Sequence, residues 1–352
     1  MELTTVWFVL IAVLWAGYFL LEGFDFGVGI LLPVLGRDER ERRVLINTIG
    51  PVWDGNEVWL LVAGGATFAA FPEWYATLFS GFFLPLLLIL VALIVRGVAF
   101  EYRGKKDDPV WRQRWDACII GGSLVPALLW GVAFGNILRG VPLDADHEYV
   151  GGFFNLLNPY ALLGGLTTLS LFVLHGAVFV ALKTDGEIRG RSGALATAVA
   201  PVTVLIAGGF LLWTGLSNGD GIGWALSAVA ALTLVGAVLA TRVRREGWAF
   251  IATGATIVFA TAALVVTLFP NVMPSSLADA NSLTVTNAAS TAYTLKVMTW
   301  VAVVFTPIVL LYQGWTYWVF RKRLTVDHIP AALPTPVSPP PAGAQHMDRS
   351  VV

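Results

Sequence analysis

The feature that most constrains this chain is a series of apolar runs, each about 20 residues long, that recurs along most of its length. Coiled into a helix, a run of that length spans the roughly 30 Å hydrocarbon core of a bilayer. Hydrophobic residues make up 57% of the 352 residues and charged residues only 13%. Because so few charges cannot cover so much apolar surface in water, the sequence predicts an all-α integral membrane protein embedded in a lipid bilayer.

Nine segments are predicted to cross the membrane: 6–34, 48–71, 74–95, 117–138, 159–182, 195–216, 223–241, 248–269 and 293–319. The second has the weakest pattern, because Asp54, Asn56 and Glu57 lie near its start. Predicted helices 1–4 and 5–8 are expected to form two four-helix bundles, with helix 9 at the periphery. We treat residues 1–323 as one transmembrane domain.

The basic residues predict how the helices are oriented. If the N-terminus lies outside, the segments on the cytoplasmic side hold 20 of the 22 Lys and Arg residues, including those of the predicted loop 96–116. Acidic residues show no such bias, as expected if Lys and Arg set the orientation. The C-terminus is therefore predicted to be cytoplasmic. Residues 324–352 are rich in proline and are expected to form a disordered tail.

Composition disfavours several other classes of protein. The net charge of -1 gives no basic face for nucleic acid, and the single cysteine, Cys118, excludes an internal disulfide or a zinc site of several thiolates. The sequence contains no GxxxxGK[ST] motif and no large soluble domain that could bind a nucleotide. His175 is the only histidine within a predicted helix, so the chain lacks the ligands to hold several haems by itself.

Four carboxylates in the first two predicted helices are the candidate functional residues. Glu22 and Asp25 are three residues apart, as are Asp54 and Glu57, so each pair lies on one helix face. The helix rise places both pairs toward the cytoplasmic leaflet. Since a charged side chain inside a bilayer costs roughly 2.5–3.5 kcal/mol, we expect these acids to form one polar cluster that faces the interior of the bundle.

The residues alone leave several roles open for this cluster. It could take up protons from the cytoplasm, or hold a hard cation through oxygen ligands, or only hydrogen-bond the backbone. His175, at a similar depth, is a weaker candidate for a proton relay. A solitary membrane histidine more often hydrogen-bonds a neighbouring helix.

Two longer motifs resemble a known family. The segment 23–29, Gly-Phe-Asp-Phe-Gly-Val-Gly, is similar to the first-helix signature of subunit II of cytochrome bd-type quinol oxidases. The segment 47–60, Asn-Thr-Ile-Gly-Pro-Val-Trp-Asp-Gly-Asn-Glu-Val-Trp-Leu, is similar to the second-helix signature. Shorter matches lie at 132–136, 156–159, 273–276 and 297–301, so the resemblance extends over residues 6–323.

The resemblance implies an electrogenic heterodimeric enzyme of the bacterial cell membrane that oxidises a quinol and reduces dioxygen to water. It implies that two b-type haems, one d-type haem and the quinol site belong to subunit I, so that this chain binds no cofactor directly. Subunit II is expected to support subunit I and to help deliver cytoplasmic protons to it. Small accessory subunits are candidate further partners.

The resemblance also ranks the candidate residues. The aspartates matching Asp25 and Asp54 are the family's candidates for a proton path or a cation site, and Glu57 lies in the same motif as Asp54. Glu22 and His175 lie outside the matched motifs, so the resemblance assigns them no role. Two other functions fit the residues: an ion-coupled transporter acting alone, since glycine-interrupted helices beside carboxylates describe such sites, and a purely structural subunit.

Overall fold

The computed structural model describes residues 2–329, and these fold into eleven α-helices and one small pair of strands. The helices are α1 (Leu3–Leu35), α2 (Glu39–Ile49), α3 (Trp53–Ala70), α4 (Pro72–Gly81), α5 (Phe83–Tyr102), α6 (Pro109–Arg139), α7 (Pro159–Lys183), α8 (Gly186–Asn218), α9 (Gly221–Arg242), α10 (Glu246–Leu268) and α11 (Ala292–Val319). The strands β1 (Asn271–Met273) and β2 (Leu283–Thr284) pair antiparallel between α10 and α11.

Eight helices are long and apolar enough to cross a membrane, namely α1 and α5–α11. The chain is therefore an all-α membrane protein, as the sequence predicted. The remaining predicted span corresponds to α3, which has 18 residues and carries Asp54 and Glu57. At about 27 Å it is slightly shorter than the hydrocarbon core. Its crossing of the membrane remains a prediction.

The long helices pack in two groups. The first group consists of α1, α3, α5 and α6, and the second of α7, α8, α9 and α10. The groups meet where α7 packs against α1 and α6, and where α10 packs against α1. Helix α11 lies outside both groups against α1 and α3, and its only buried residue is Leu295. The Trp7 indole N–H donates to the Leu295 carbonyl at 3.2 Å, which ties the start of α11 to the start of α1.

The predicted third span, 74–95, is wrong in its boundaries. The chain forms the short helix α4 first, and α5 then begins at Phe83 and continues to Tyr102. Pro72 begins α4, where its missing N–H has no cost, and the buried Phe71 and Phe82 mark the ends of that helix. The shift moves Arg96 from the predicted cytoplasmic loop into the buried part of α5.

The segment predicted as a loop at 35–47 also differs. Most of it belongs to α2, which begins where the Asp38 side chain accepts the N–H of Glu41 at 2.8 Å. Val44, Leu45 and Ile49 are buried in the same cluster as residues of α1 and α7. Helix α2 therefore lies across one end of the long helices with its apolar face inward.

Ion pairs gather at this same end of the molecule. Arg103 contacts Glu39 through two hydrogen bonds of 2.9 and 2.8 Å and contacts Asp116 at 2.5 Å. Arg191, at the start of α8, pairs with Glu41 at 2.6 Å. The basic loops and α2 thus form one connected layer beneath both helix groups.

The predicted tail, 324–352, lies mostly outside the described residues, which end at 329. Its first part packs on the membrane domain. The Leu324 N–H donates to the Lys183 carbonyl at 2.8 Å, and Arg40 donates to the carbonyls of Val326 and Ile329. The packed domain therefore continues a few residues beyond the predicted boundary at 323.

Candidate functional site

Glu22 and Asp25 lie in the interior of the first helix group, and both side chains are fully buried. Glycines let this part of α1 approach α7 closely. A Cβ atom on Gly27 would lie 2.0 Å from the Phe172 carbonyl oxygen, and one on Gly176 would lie 2.6 Å from the Gly27 backbone. Only glycine allows such contact between two helix backbones. The family-like motif at 23–29 thus has a packing role as well as carrying Asp25.

Arg96 on α5 lies at the centre of the site. Its Nη1 donates to Glu22 Oε1 and lies 3.8 Å from Glu57 Oε2, and the guanidinium is fully buried. The carbon Cζ lies 4.9 Å from the ring centroid of Phe26 and 5.2 Å from that of Phe100, within range of a cation–π interaction. One cation from α5 therefore joins acids from α1 and α3.

A chain of hydrogen bonds joins Asp25 to the peripheral helix. Asn56 Nδ2 donates to Asp25 Oδ2 at 2.7 Å. The Asn56 side-chain oxygen Oδ1 accepts from the Tyr317 hydroxyl at 2.7 Å and from Gln313 Nε2 at 3.3 Å. Trp59 donates to Gln313 at 2.8 Å. The buried Asn56 on α3 is therefore the link between α1 and α11.

The site contains more acid than base, and several of its buried polar atoms have no partner. Glu22 and Glu57 contact the single guanidinium of Arg96, and Asp25, three residues after Glu22 on α1, is hydrogen-bonded to Asn56 instead. Within the described residues, Glu22 Oε2, Asp25 Oδ1 and Glu57 Oε2 accept no hydrogen bond, and Arg96 Nε and Nη2 donate none. Such atoms are rare because each costs about 1–3 kcal/mol. A group with surplus acid and free acceptors can take up a proton and pass it on. We call Glu22, Asp25, Glu57 and Arg96 the carboxylate group.

Asp54 does not join the carboxylate group. Asp54 is exposed. Glu57 lies one turn further along α3, and its side chain is 22% exposed and contacts Arg96. The prediction that all four acids face the interior is therefore wrong for Asp54. Exposed positions Asp54, Val58, Leu61 and Gly65 follow one face of α3. A Cβ atom on Gly65 would meet nothing within 4 Å, so that face has room for another helix.

His175 lies at the junction of the two helix groups. Its Nδ1 contacts the Thr253 hydroxyl at 2.7 Å and its Nε2 contacts the Leu20 carbonyl at 3.2 Å. Its ring stacks on Phe250, with centroids 4.6 Å apart. These are the contacts of a histidine that joins neighbouring helices, and both ring nitrogens are engaged. A role in proton relay stays a prediction.

A cation site at Asp25 and Asp54 finds little support in this geometry. Asp25 is fully buried, whereas Asp54 is exposed. Among residues 2–329, no three His, Cys, Asp or Glu side chains are arranged to hold a metal ion. The positive charge within the carboxylate group comes from Arg96.

The sequence interpretation missed four residues of this site: Arg96, Asn56, Gln313 and Tyr317. Arg96 is flanked by apolar residues on both sides, which is the signal of a buried cation in a helix. Gln313 and Tyr317 are four residues apart, so they form a polar pair on one face of the last helix.

Comparison with known proteins assigns the chain to a family. The family model described as cytochrome bd terminal oxidase subunit II matches residues 3–320. Cytochrome bd ubiquinol oxidase subunit 2 of Bacillus subtilis (strain 168) is 43% identical over 329 residues, which cover 92% of this chain and 97% of that protein. Cytochrome bd-I ubiquinol oxidase subunit 2 of Escherichia coli (strain K12) is 39% identical over 362 residues, covering 92% and 96%.

A solved structure shows the same fold. The bd oxidase from Geobacillus thermodenitrificans contains a chain that matches with a TM-score of 0.74 at 19% identity, covering 92% of this chain and 100% of that one. With its membrane-spanning helices and bacterial relatives, the chain is a bacterial membrane protein. The family match over nearly the whole helical region shows that the chain belongs to the cytochrome bd terminal oxidase subunit II family.

Proposed function

We propose that this chain is the haem-free subunit of a terminal oxidase that oxidises quinol and reduces dioxygen to water. Two relatives that match almost end to end are named ubiquinol oxidase subunit 2. The side chains that could ligate haem iron also support a haem-free subunit. Both ring nitrogens of His175 are hydrogen-bonded, and Cys118 is the chain's one thiol. We assign the two b-type haems, the d-type haem and the quinol site to subunit I, as the resemblance to the family implies.

The partner covers the open face of α3 in this proposal. An exposed carboxylate on a membrane-embedded helix is costly, by roughly 2.5–3.5 kcal/mol on the insertion scale. Asp54 has such a position, next to exposed apolar residues and glycines that leave room for a close helix contact. Contact with subunit I along this face would remove Asp54 from lipid and give it a polar partner.

The carboxylate group delivers protons to subunit I. The observation that supports this most directly is that Glu22 and Glu57 share one buried guanidinium, with Asp25 buried on the next turn of α1, and that one oxygen of each acid accepts no hydrogen bond within the described residues. Arg96 balances only one negative charge, so uptake of protons is the simplest way to neutralise the others. Glu57 is the partly exposed member and receives the proton, and Glu22 and Asp25 hold it in the interior. Asp54 lies where the proton would cross to the partner.

The proposed orientation supplies the direction of transfer. Nine spans, with α3 as the second, place the N-terminus outside and the layer of basic loops on the cytoplasmic side. Protons that reach the haems from the cytoplasm add to the membrane potential without a pump, because they are consumed when dioxygen is reduced.

A structural role is the second candidate function. It is favoured by the hydrogen bonds that Asn56 makes to α1 and α11, which hold three helices together. The two functions differ in one quantity. Neutralising the acids lowers turnover per haem if they carry protons, and lowers only the amount of assembled complex if they are structural.

The first experiment is purification of the chain from native membranes in mild detergent, followed by an absorption spectrum. We expect one large partner subunit to copurify, together with bands of b-type and d-type haem. A colourless chain without a partner would contradict the oxidase assignment. Solute uptake by that lone chain would then favour the transporter alternative.

A further inference from the structure

A polar cavity lies at the basic end of the second helix group. None of the residues that line it belongs to the carboxylate group. Its volume is about 690 Å³, and it is lined by the ends of α7 and α9 and the starts of α8 and α10. Gly190 and Gly193 form part of the α8 wall, and a Cβ atom on either would meet nothing within 4 Å. The cavity is therefore wide enough for a group much larger than a water molecule.

The charges that line this cavity are unbalanced. Arg189 contacts Glu246 at 2.9 Å and Asp185 at 3.5 Å, so the acids are already paired. The N–H of Gly186 and the guanidinium of Arg189 hold the pKa of Asp185 below its usual value, so this acid is fully charged at neutral pH.

Arg242 and Arg244 line the same cavity without a partner. Neither makes a hydrogen bond through its side chain or an ion pair within the part of the chain that the structure describes. Arg244 has a left-handed backbone, with φ of 55°, in the tight turn that joins α9 to α10. Two exposed arginines thus line the cavity with no counter-charge among the described residues, so both guanidinium groups are free to bind an anion.

The polar cavity adjoins an open groove with charged residues at one end and apolar residues at the other. Arg244 and Glu246 line both spaces, and the groove, of about 310 Å³, is completed by Arg245, Gly247, Trp248 and Ile251. Trp248 is 66% exposed and Ile251 is 60% exposed on the first turns of a membrane-spanning helix. Tryptophan at such a position is typical of the interface between headgroups and acyl chains. A free phosphate ion would use only the cavity, whereas a lipid would use both spaces.

We infer that this joined cavity and groove bind an acidic phospholipid, with its phosphate between Arg242 and Arg244 and an acyl chain along Trp248 and Ile251. Basic pockets between transmembrane helices on the cytoplasmic side are sites of the kind that anionic headgroups occupy. The site shares no residue with the carboxylate group. A failure of the proton-delivery proposal would therefore leave the lipid-site inference unaffected.

The test uses the purified complex in nanodiscs of phosphatidylcholine with a small amount of phosphatidylglycerol, and native mass spectrometry to count retained phosphatidylglycerol. We expect Arg242→Gln with Arg244→Gln to weaken retention about 30-fold, the loss for two basic side chains at a membrane surface. The matched control, Arg43→Gln with Arg114→Gln, removes the same charge from exposed positions outside the cavity. It should retain the lipid.

A second variant tests the site without changing charge. Gly193→Leu places a side chain in the open space of the cavity and raises helix propensity, so we expect a folded complex that has lost the lipid. Equal loss in the control pair, or full retention in Gly193→Leu, would overturn the inference. Displacement of phosphatidylglycerol by millimolar inorganic phosphate would show that the site binds soluble phosphate and not a lipid.

Discussion

Arg96→Gln should destabilise the chain more than any other single change in the carboxylate group. The side chains of Arg96 and Glu22 are both 0% exposed, and Glu57 shares the same guanidinium at 3.8 Å. Removing the cation leaves Glu22 buried without a counter-charge, which costs about 3–5 kcal/mol for a broken buried pair. Loss of the contacts with Phe26 and Phe100 adds about 0.5–2 kcal/mol.

The double variant Arg96→Gln with Glu22→Gln separates charge from packing. Replacing both members of a buried pair by neutral groups is often close to neutral in stability, so the second change should recover at least about 2 kcal/mol of the first loss. The assay is thermal unfolding of the purified complex, followed by loss of the haem spectrum. We expect a single-variant fall in Tm of roughly 10 °C, mostly restored in the double variant. A single variant as stable as wild type, or a double variant no better than the single, would refute the ion-pair argument.

Three further changes have defined outcomes. Asn56→Ala removes the donor to Asp25 and the acceptor for Tyr317, so we expect about 1–3 kcal/mol lower stability and looser attachment of α11, measured by proteolysis. His175→Gln should leave oxygen consumption per haem unchanged, because the contacts of His175 are structural; a tenfold fall would instead support a relay. Gly27→Leu should prevent assembly, measured as haem per membrane protein, whereas Gly121→Leu on an open helix face should not.

Long apolar runs allowed the sequence to predict the all-α membrane class, but not every helix boundary. Residues 72–102 are almost continuously apolar, so hydropathy cannot locate the break between α4 and α5. The prolines at the helix starts, Pro72 and Pro85, were the local signal. Because the predicted helix ended at residue 95, Arg96 was assigned to a loop, and the counter-ion of Glu22 was not recognised.

The helical spacing of the acids was predictable, whereas their surroundings were not. Spacing places Asp54 and Glu57 near one face of α3, but the rotation of that helix about its axis is set by its packing on α1 and α11. That rotation buries Asn56 and leaves Asp54 exposed. Similarly, the sequence does not show that Thr253 and Leu20, both distant from His175 along the chain, engage its two ring nitrogens.

The central claim, that the carboxylate group delivers protons and that they cross to the partner at Asp54, is tested most directly in proteoliposomes containing the purified complex. Oxygen consumption per haem and membrane potential would be measured together for Asp25→Asn, Glu57→Gln and Asp54→Asn, with Glu73→Gln as an exposed control on α4. We expect the first three to lower both quantities at least tenfold per assembled haem and the control to leave them unchanged. Normal turnover and potential in complexes that carry the three changes would contradict the claim and leave a structural role for the acids.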